Sequence, residues 1–145
     1  MLLAEAGLQT TAIDISPTAI ELMNTAAQSR GVSIASIAAP VDEVLSNSDA
    51  LYDVIVVSRF LDRVLLKQLP EILKPDGLLF YQTFVKEKVS QSIGPSNPGF
   101  LLDANELLEL GNELRVRLYF DLGSLGDTSK GLRNESCLIA QKCIV

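Results

Sequence analysis

The stretch Thr10-Thr11-Ala12-Ile13-Asp14-Ile15-Ser16-Pro17 most constrains what this chain can fold into. Gln9 to Ile13 is rich in β-branched and apolar residues, as a buried parallel strand is. Ser16 then has the chemistry of a helix N-cap, and Pro17 suits the first helical position. Ile15 is placed to staple to Ile20 across the cap. An acidic residue that ends such a strand is where α/β proteins hold ribose hydroxyls, which makes Asp14 the leading site candidate. The competing role for Asp14 is a helix-start acid favoured by the macrodipole. The glycine-rich loop that accompanies such an acid belongs about 20 residues earlier, ahead of Met1.

Downstream, strands and helices alternate. Leu2–Ala6 reads as the end of a helix stopped by Gly7. Ala19, Leu22, Met23 and Ala26 recur at helical spacing after Pro17, and Arg30-Gly31 closes that helix. Val32–Ile37 is a short strand, and Tyr52–Ser58 is the clearest strand in the chain. Leu61, Leu65, Leu69, Ile72 and Leu73 form the stripe of a helix that Pro70 kinks or divides. Lys74-Pro75-Asp76-Gly77 reads as a tight turn into a strand from Leu78 to Phe84. A polar loop covers Val85–Gly99, Asp103–Leu110 is a short helix, and Leu114–Phe120 and Ser136–Ile144 form an antiparallel strand pair. Such alternation predicts an α/β fold with a mostly parallel sheet and a C-terminal antiparallel hairpin.

Composition narrows the chemistry. The net charge of −6 disfavours a nucleic-acid surface. No apolar run approaches ~18 residues, and the N-terminus lacks a basic leader, so neither a membrane span nor a signal peptide is expected. Cys137 and Cys143 read as buried free thiols suited to a cytoplasmic setting. Histidine is absent, which removes His-based metal sites and Ser-His or Cys-His nucleophiles. Asn134-Glu135-Ser136 matches a glycosylation sequon by chance.

The element order, with four local patterns, resembles the class I S-adenosylmethionine-dependent methyltransferases. These patterns are Ala12–Pro17, Tyr52–Ser58, Leu73-Lys74-Pro75-Asp76-Gly77-Leu78-Leu79 and the terminal hairpin. A narrower resemblance, to tellurite-resistance-like methyltransferases, rests on Ser58–Arg63, Tyr81–Phe84 and Asn97–Leu102 followed by Glu106-Leu107. It implies a Rossmann-like three-layer sandwich with sheet order 3-2-1-4-5-7-6. The central first strand is missing, so residues 1–145 are expected to form a single, N-terminally incomplete domain lacking the family's first ~40 residues. Unpaired strand edges would then favour self-association.

The resemblance also implies S-adenosylmethionine as cofactor and a small-molecule acceptor, with no catalytic side chain and no metal. Sulfonium methyl transfer asks mainly for positioning. Asp14 would hold the ribose and Ile15 would cover the adenine. Pro40 stands where the family has an adenine-contacting acid, so Asp42 or the Val41 N–H takes that place. Ser58 and Phe60 would flank the methyl donor. Arg59 and Arg63 would orient an anionic acceptor, with Thr83, Asn97 and Phe100 roofing it. Asp62 stands where relatives carry His, and would act as a base only if burial raised its pKa. The alternatives are a non-catalytic Rossmann-like nucleotide-binding module and an oligomeric fragment.

Overall fold

A computed structural model describes residues 1–143, with only the backbone at 111 and 112. Residues 1–49 and residues 50–145 form two compact units.

The first unit contains α1 (Leu2–Glu5), β1 (Thr11–Asp14), α2 (Pro17–Ser29), β2 (Ala35–Ala38) and α3 (Val41–Ser46). Strands β1 and β2 pair in parallel, from Thr11↔Ala35 to Asp14↔Ala38. Helix α2 provides the crossover. Ser16 caps it by accepting from the Ala19 N–H at 3.3 Å. It ends at Gly31, whose φ of 68° is one that glycine adopts without strain. Its buried face is Ile20 and Ala27, with Met23 half-buried between them, while Leu22 faces solvent. The stripe is thus one position away from the one expected at Leu22. Ile15 is 71% exposed although Ile20 is buried, so the expected staple leaves Ile15 largely in water. Helix α3 was not foreseen. It begins after Pro40, with Asp42 and Glu43 in its first turn, where the helix dipole favours acids.

The second unit contains β3 (Tyr52–Ser58), α4 (Arg63–Gln68), β4 (Leu73–Phe84), β5 (Arg115–Phe120) and β6 (Glu135–Gln141). Its sheet order is β3-β4-β6-β5. β3 and β4 are parallel, and β6 is antiparallel to both β4 and β5. The orders β2-β1 and β3-β4-β6-β5 are the two runs 3-2 and 4-5-7-6 of the implied family order. Leu73, Leu79, Tyr81, Leu102, Leu107, Leu114, Leu138 and Ala140 are buried and form its core.

Three expectations change here. Helix α4 stops at Gln68, and Leu73 already belongs to β4. Pro70 lacks an N–H and its ring clashes with the preceding turn, so the helix ends instead of kinking. Lys74–Gly77 is a bulge inside β4, not a turn ahead of it. Partners advance from Tyr52↔Leu73 to Val54↔Leu78, leaving four residues opposite Asp53. Asp76 takes a left-handed φ of 62° there. A Cβ on Gly77 would lie 2.8 Å from the Lys74 carbonyl oxygen, so this position has room only for glycine. The helix expected from Asp103 is a 3-10 helix over Glu106–Asn112.

Cys137 is half-buried and Cys143 exposed, so neither is a core thiol. Burial and the neighbouring Glu135 carboxylate push the Cys137 thiol pKa up. The expected end of the last strand at Ile144 lies outside the described residues. No helix among the described residues is long and apolar enough to cross a membrane.

Candidate functional site

Open α/β sheets bind ligands at the carboxyl ends of their parallel strands. Each unit places predicted residues at such an end.

In the first unit Asp14 closes β1 and is exposed. Its Oδ1 accepts from the Ser16 N–H at 2.8 Å. That bond fixes the carboxylate's orientation and leaves Oδ2 without a protein partner among the described residues. Ile15 follows as an exposed apolar surface. Val41 and Asp42 open α3, with Val41 half-buried and Asp42 exposed. Pro40 supplies no capping side chain, so the first N–H groups of this short helix have none from that position. An oriented carboxylate beside an exposed aliphatic side chain fits a nucleoside, with one group for the hydroxyls and one for the ring face.

In the second unit Ser58, Arg59 and Phe60 leave the end of β3. Arg59 is held at φ 54°, a left-handed conformation that is strained for a side chain of this size. Two bonds hold the segment there. The Arg59 N–H donates to the Gln82 carbonyl at 2.7 Å, and the Tyr81 hydroxyl donates to the Phe60 carbonyl at 2.9 Å. Tyr81 is otherwise core. Burial, then the Asp62 and Glu106 carboxylates, push its pKa far up, and Arg63 opposes them. It therefore stays a neutral donor. Phe60, 44% exposed, faces outward from this pinned segment.

Arg59 meets a partner the sequence did not reveal. Its guanidinium lies 3.1 Å from Glu135, a glutamate only 3% exposed at the start of β6. Gln82 donates to the other Glu135 oxygen at 2.7 Å. The same guanidinium sits 5.6 Å from the centre of the Phe84 ring, within cation–π range. Glu135 was visible only inside the sequon. A buried acid at a strand start has no local sequence signature, because its partners are 53 and 76 residues away.

Arg63 is used structurally. Nε and Nη2 bind the two Glu106 oxygens at 2.6 and 2.9 Å, while Nη1 and Nη2 donate to the Gly99 and Leu101 carbonyls. Burial acts to raise the Glu106 pKa, but bonds from Arg63 and the Asp103 N–H outweigh it and hold the carboxyl below 4.5. An arginine with four bonds made has little left for an anionic acceptor. Asp62 caps α4 through the Val64 and Leu65 N–H groups, at 2.8 and 3.0 Å, which gives this acid a structural use. Thr83 is 1% exposed, so it lies within the sheet and does not roof a pocket. Asn97 is exposed and caps the 3-10 turn Pro98–Phe100 through the Gly99 N–H at 2.9 Å. Phe100 is exposed on that turn.

Asn134 is buried and left-handed at φ 61°. Its Oδ1 accepts from the Val89 and Ser90 N–H groups at 2.7 and 3.0 Å, so the sequon's asparagine is an internal anchor for the long loop. Among the described residues no cluster of three or more acidic or thiol side chains has the arrangement of a metal site.

Comparison with known proteins bears on the family and the fold. A family described as methyltransferase domain matches residues 1–81. An uncharacterized protein of Schizosaccharomyces pombe is 30% identical over 111 residues, covering 77% of this chain and 32% of that protein. Among solved structures, TehB from Haemophilus influenzae superposes with a TM-score of 0.71 at 20% identity, covering 97% of this chain and 52% of its own. The N-methyltransferase NodS from Bradyrhizobium japonicum gives 0.64 at 19% identity, covering 94% and 74%. The chain thus spans about half of TehB and about a third of the yeast protein. A family match over more than half the chain, with this strand order, places the protein among the class I S-adenosylmethionine-dependent methyltransferases.

Proposed function

We propose that both units belong to one methyltransferase domain that transfers a methyl group from S-adenosylmethionine to a small molecule, mainly by positioning. The observation that carries this reading is the Asp14 carboxylate, oriented by the Ser16 N–H with its second oxygen open, in a chain of this family.

The cofactor, when bound, supplies an activated methyl on a sulfonium whose leaving group is already good. The chain's own residues then need only bind and orient. Asp14 Oδ2 accepts from ribose hydroxyls, and Ile15 covers one face of the adenine. The Val41 N–H and Asp42 address the ring edge. Ser58 and Phe60 border the methyl-donor end, held in place by Gln82 and Tyr81. Such pre-set geometry is the main contribution a protein makes to this chemistry.

On the acceptor side Arg59 retains donors, because only Nε and Nη2 engage Glu135. Arg63 serves to fix the Asn97–Glu106 segment, which presents Asn97 and Phe100. A tellurite-resistance-like acceptor specificity is one member of the small-molecule class proposed.

Isothermal calorimetry with S-adenosylhomocysteine tests the reading. Wild-type protein gives saturable heat, and Asp14→Asn weakens binding about tenfold, the size of a lost charge-assisted hydrogen bond. No heat from a folded, monodisperse sample overturns it.

A further inference from the structure

Burying a carboxylate is costly unless an opposite charge and hydrogen bonds compensate it. For the buried Glu135 that charge comes from far along the chain. Among the described residues Arg59 is the one basic side chain within ion-pair distance of it, at 3.1 Å. Arg133, two residues away in sequence, is committed to the carbonyls of Leu122, Gly123, Leu125, Asp127 and Lys130. Gln82 serves the other Glu135 oxygen at 2.7 Å. These groups share a platform at the carboxyl end of β4. Phe84 and Glu135 are cross-strand partners, and Gln82 stands two residues before Phe84 on the same face. Arg59 reaches over the Phe84 ring from a backbone at φ 54°, unfavourable for an L-residue. Strain of this kind gathers at ligand clamps.

The guanidinium has two donor edges. Glu135 Oε1 takes Nε at 3.3 Å and Nη2 at 3.1 Å, which occupies one of them. The other edge consists of Nη1 and the second N–H of Nη2. Among the described residues it has no protein partner, and the Arg59 side chain is 62% exposed. Two N–H groups side by side match two oxygens of a carboxylate or a phosphate.

Glu135 decides between those anions. It cancels much of the guanidinium charge felt at the open edge. Attraction of an anion to the site grows in proportion to the anion's charge, while the cost of taking it out of water grows with the square of that charge. A dianion therefore gains little from this nearly neutral pair and loses most. We propose that Glu135 is a positioning residue that holds Arg59 as a bidentate receptor for a singly charged carboxylate and disfavours doubly charged phosphates. One clause rests on the methyl-transfer reading: there the carboxylate is the anchoring end of the acceptor. Both its oxygens accept from N–H groups, so the methyl goes to another atom. Carboxylate binding itself stands without that clause.

The test is a titration of the ¹⁵N-labelled full chain at neutral pH and constant ionic strength, followed at the Arg59 Nε–H and the Phe84 amide. Benzoate, phenyl phosphate, a dianion at this pH, and benzyl alcohol present the same ring with different heads. Wild type gives saturable shifts with benzoate, weaker binding of phenyl phosphate, and none with the alcohol. Arg59→Lys keeps the charge but loses the fork, and weakens benzoate about tenfold. Glu135→Gln keeps an acceptor oxygen for Arg59 but removes the charge, and moves the affinity ratio about fivefold toward phenyl phosphate. A merely structural glutamate would leave that ratio alone. No saturable benzoate shifts, equal shifts from benzyl alcohol, phenyl phosphate bound by wild type as tightly as benzoate, or an unchanged ratio in Glu135→Gln overturns the proposal. Should Glu135→Gln not fold, the wild-type preference and Arg59→Lys decide it. S-adenosylhomocysteine calorimetry on the same sample reads the methyltransferase assignment separately. Heat without benzoate shifts sinks the anion receptor alone, and benzoate shifts without heat sink the methyl-transfer reading alone.

Discussion

Asn134 combines two demands in one residue, and substitutions separate them. Its side-chain oxygen satisfies two backbone N–H groups, at Val89 and Ser90. Its backbone occupies the left-handed region at φ 61°, which costs most L-residues about 1 kcal/mol while asparagine and glycine tolerate it better. Asn134→Ala loses both advantages. Each orphaned N–H costs about 1–3 kcal/mol when buried, and the partial exposure of this loop brings the pair to roughly 2. With the backbone strain the total is about 3 kcal/mol. Asn134→Gly keeps the backbone and loses the acceptor, so it costs about 2 kcal/mol. Asn134→Asp keeps both and stays within about 1 kcal/mol of wild type, the remainder being repulsion from buried Glu135. Urea titration gives the global figures. Amide exchange at Val89 and Ser90 gives the local one, with protection falling roughly thirtyfold in Asn134→Gly. An Asn134→Ala protein within 0.5 kcal/mol of wild type, or Asp as damaging as Ala, would refute the anchor.

Arg63→Ala should cost about 2 kcal/mol after allowance for the arginine's solvent exposure, with a signed pH dependence. The Glu106 pKa is depressed below 4.5 in the fold. Its contribution is therefore complete above the unfolded value and is lost as pH falls through the lower folded one. The stability gap between wild type and Arg63→Ala narrows below about pH 4.5, and a gap that is constant with pH contradicts the pairing. Gly77→Ala places a methyl 2.8 Å from the Lys74 oxygen and 3.1 Å from the Tyr52 oxygen. It should cost about 2–3 kcal/mol by urea titration, and a neutral result means the bulge is not rigid. Arg133→Ala should expose residues 122–130 to limited proteolysis while the amides of β4 and β6 keep their protection. Loss of protection throughout the sheet would show that the arginine supports the whole unit.

The sequence made legible those elements whose causes are local. Tyr52–Ser58 is a strand because Val54–Val57 is an unbroken run of β-branched residues, and α2 starts where Ser16 and Pro17 specify a cap. The alternation of strands and crossovers then limits the strand order to few possibilities. Helix α3 escaped notice because six residues carry too little periodicity to register. The bulge at Lys74–Gly77 looked like a turn because Pro-Asp-Gly suits both, and only pairing with β3 decides between them. The place of Asp14 at the end of β1 was readable because a strand and a helix cap bracket it. The use of Arg63 was not, since Glu106 and the Gly99 and Leu101 carbonyls meet it from 36 to 43 residues away. Arg59 faced the same obstacle with Glu135. Long polar side chains choose partners by tertiary proximity, and a linear pattern contains no trace of that choice.

The grip of Arg133 has an evolutionary side. It holds the connection from Leu122 to Lys130 through main-chain oxygens, which every amino acid possesses. Such a clamp is blind to the side chains it restrains. Ser124 and Leu125, both exposed on that connection, are therefore free to mutate without unfastening the loop that carries them. One cation gripping main-chain oxygens makes a scaffold whose side chains can vary while its architecture stands still, and laboratory libraries confined to those positions would sample new loop surfaces at little risk to folding.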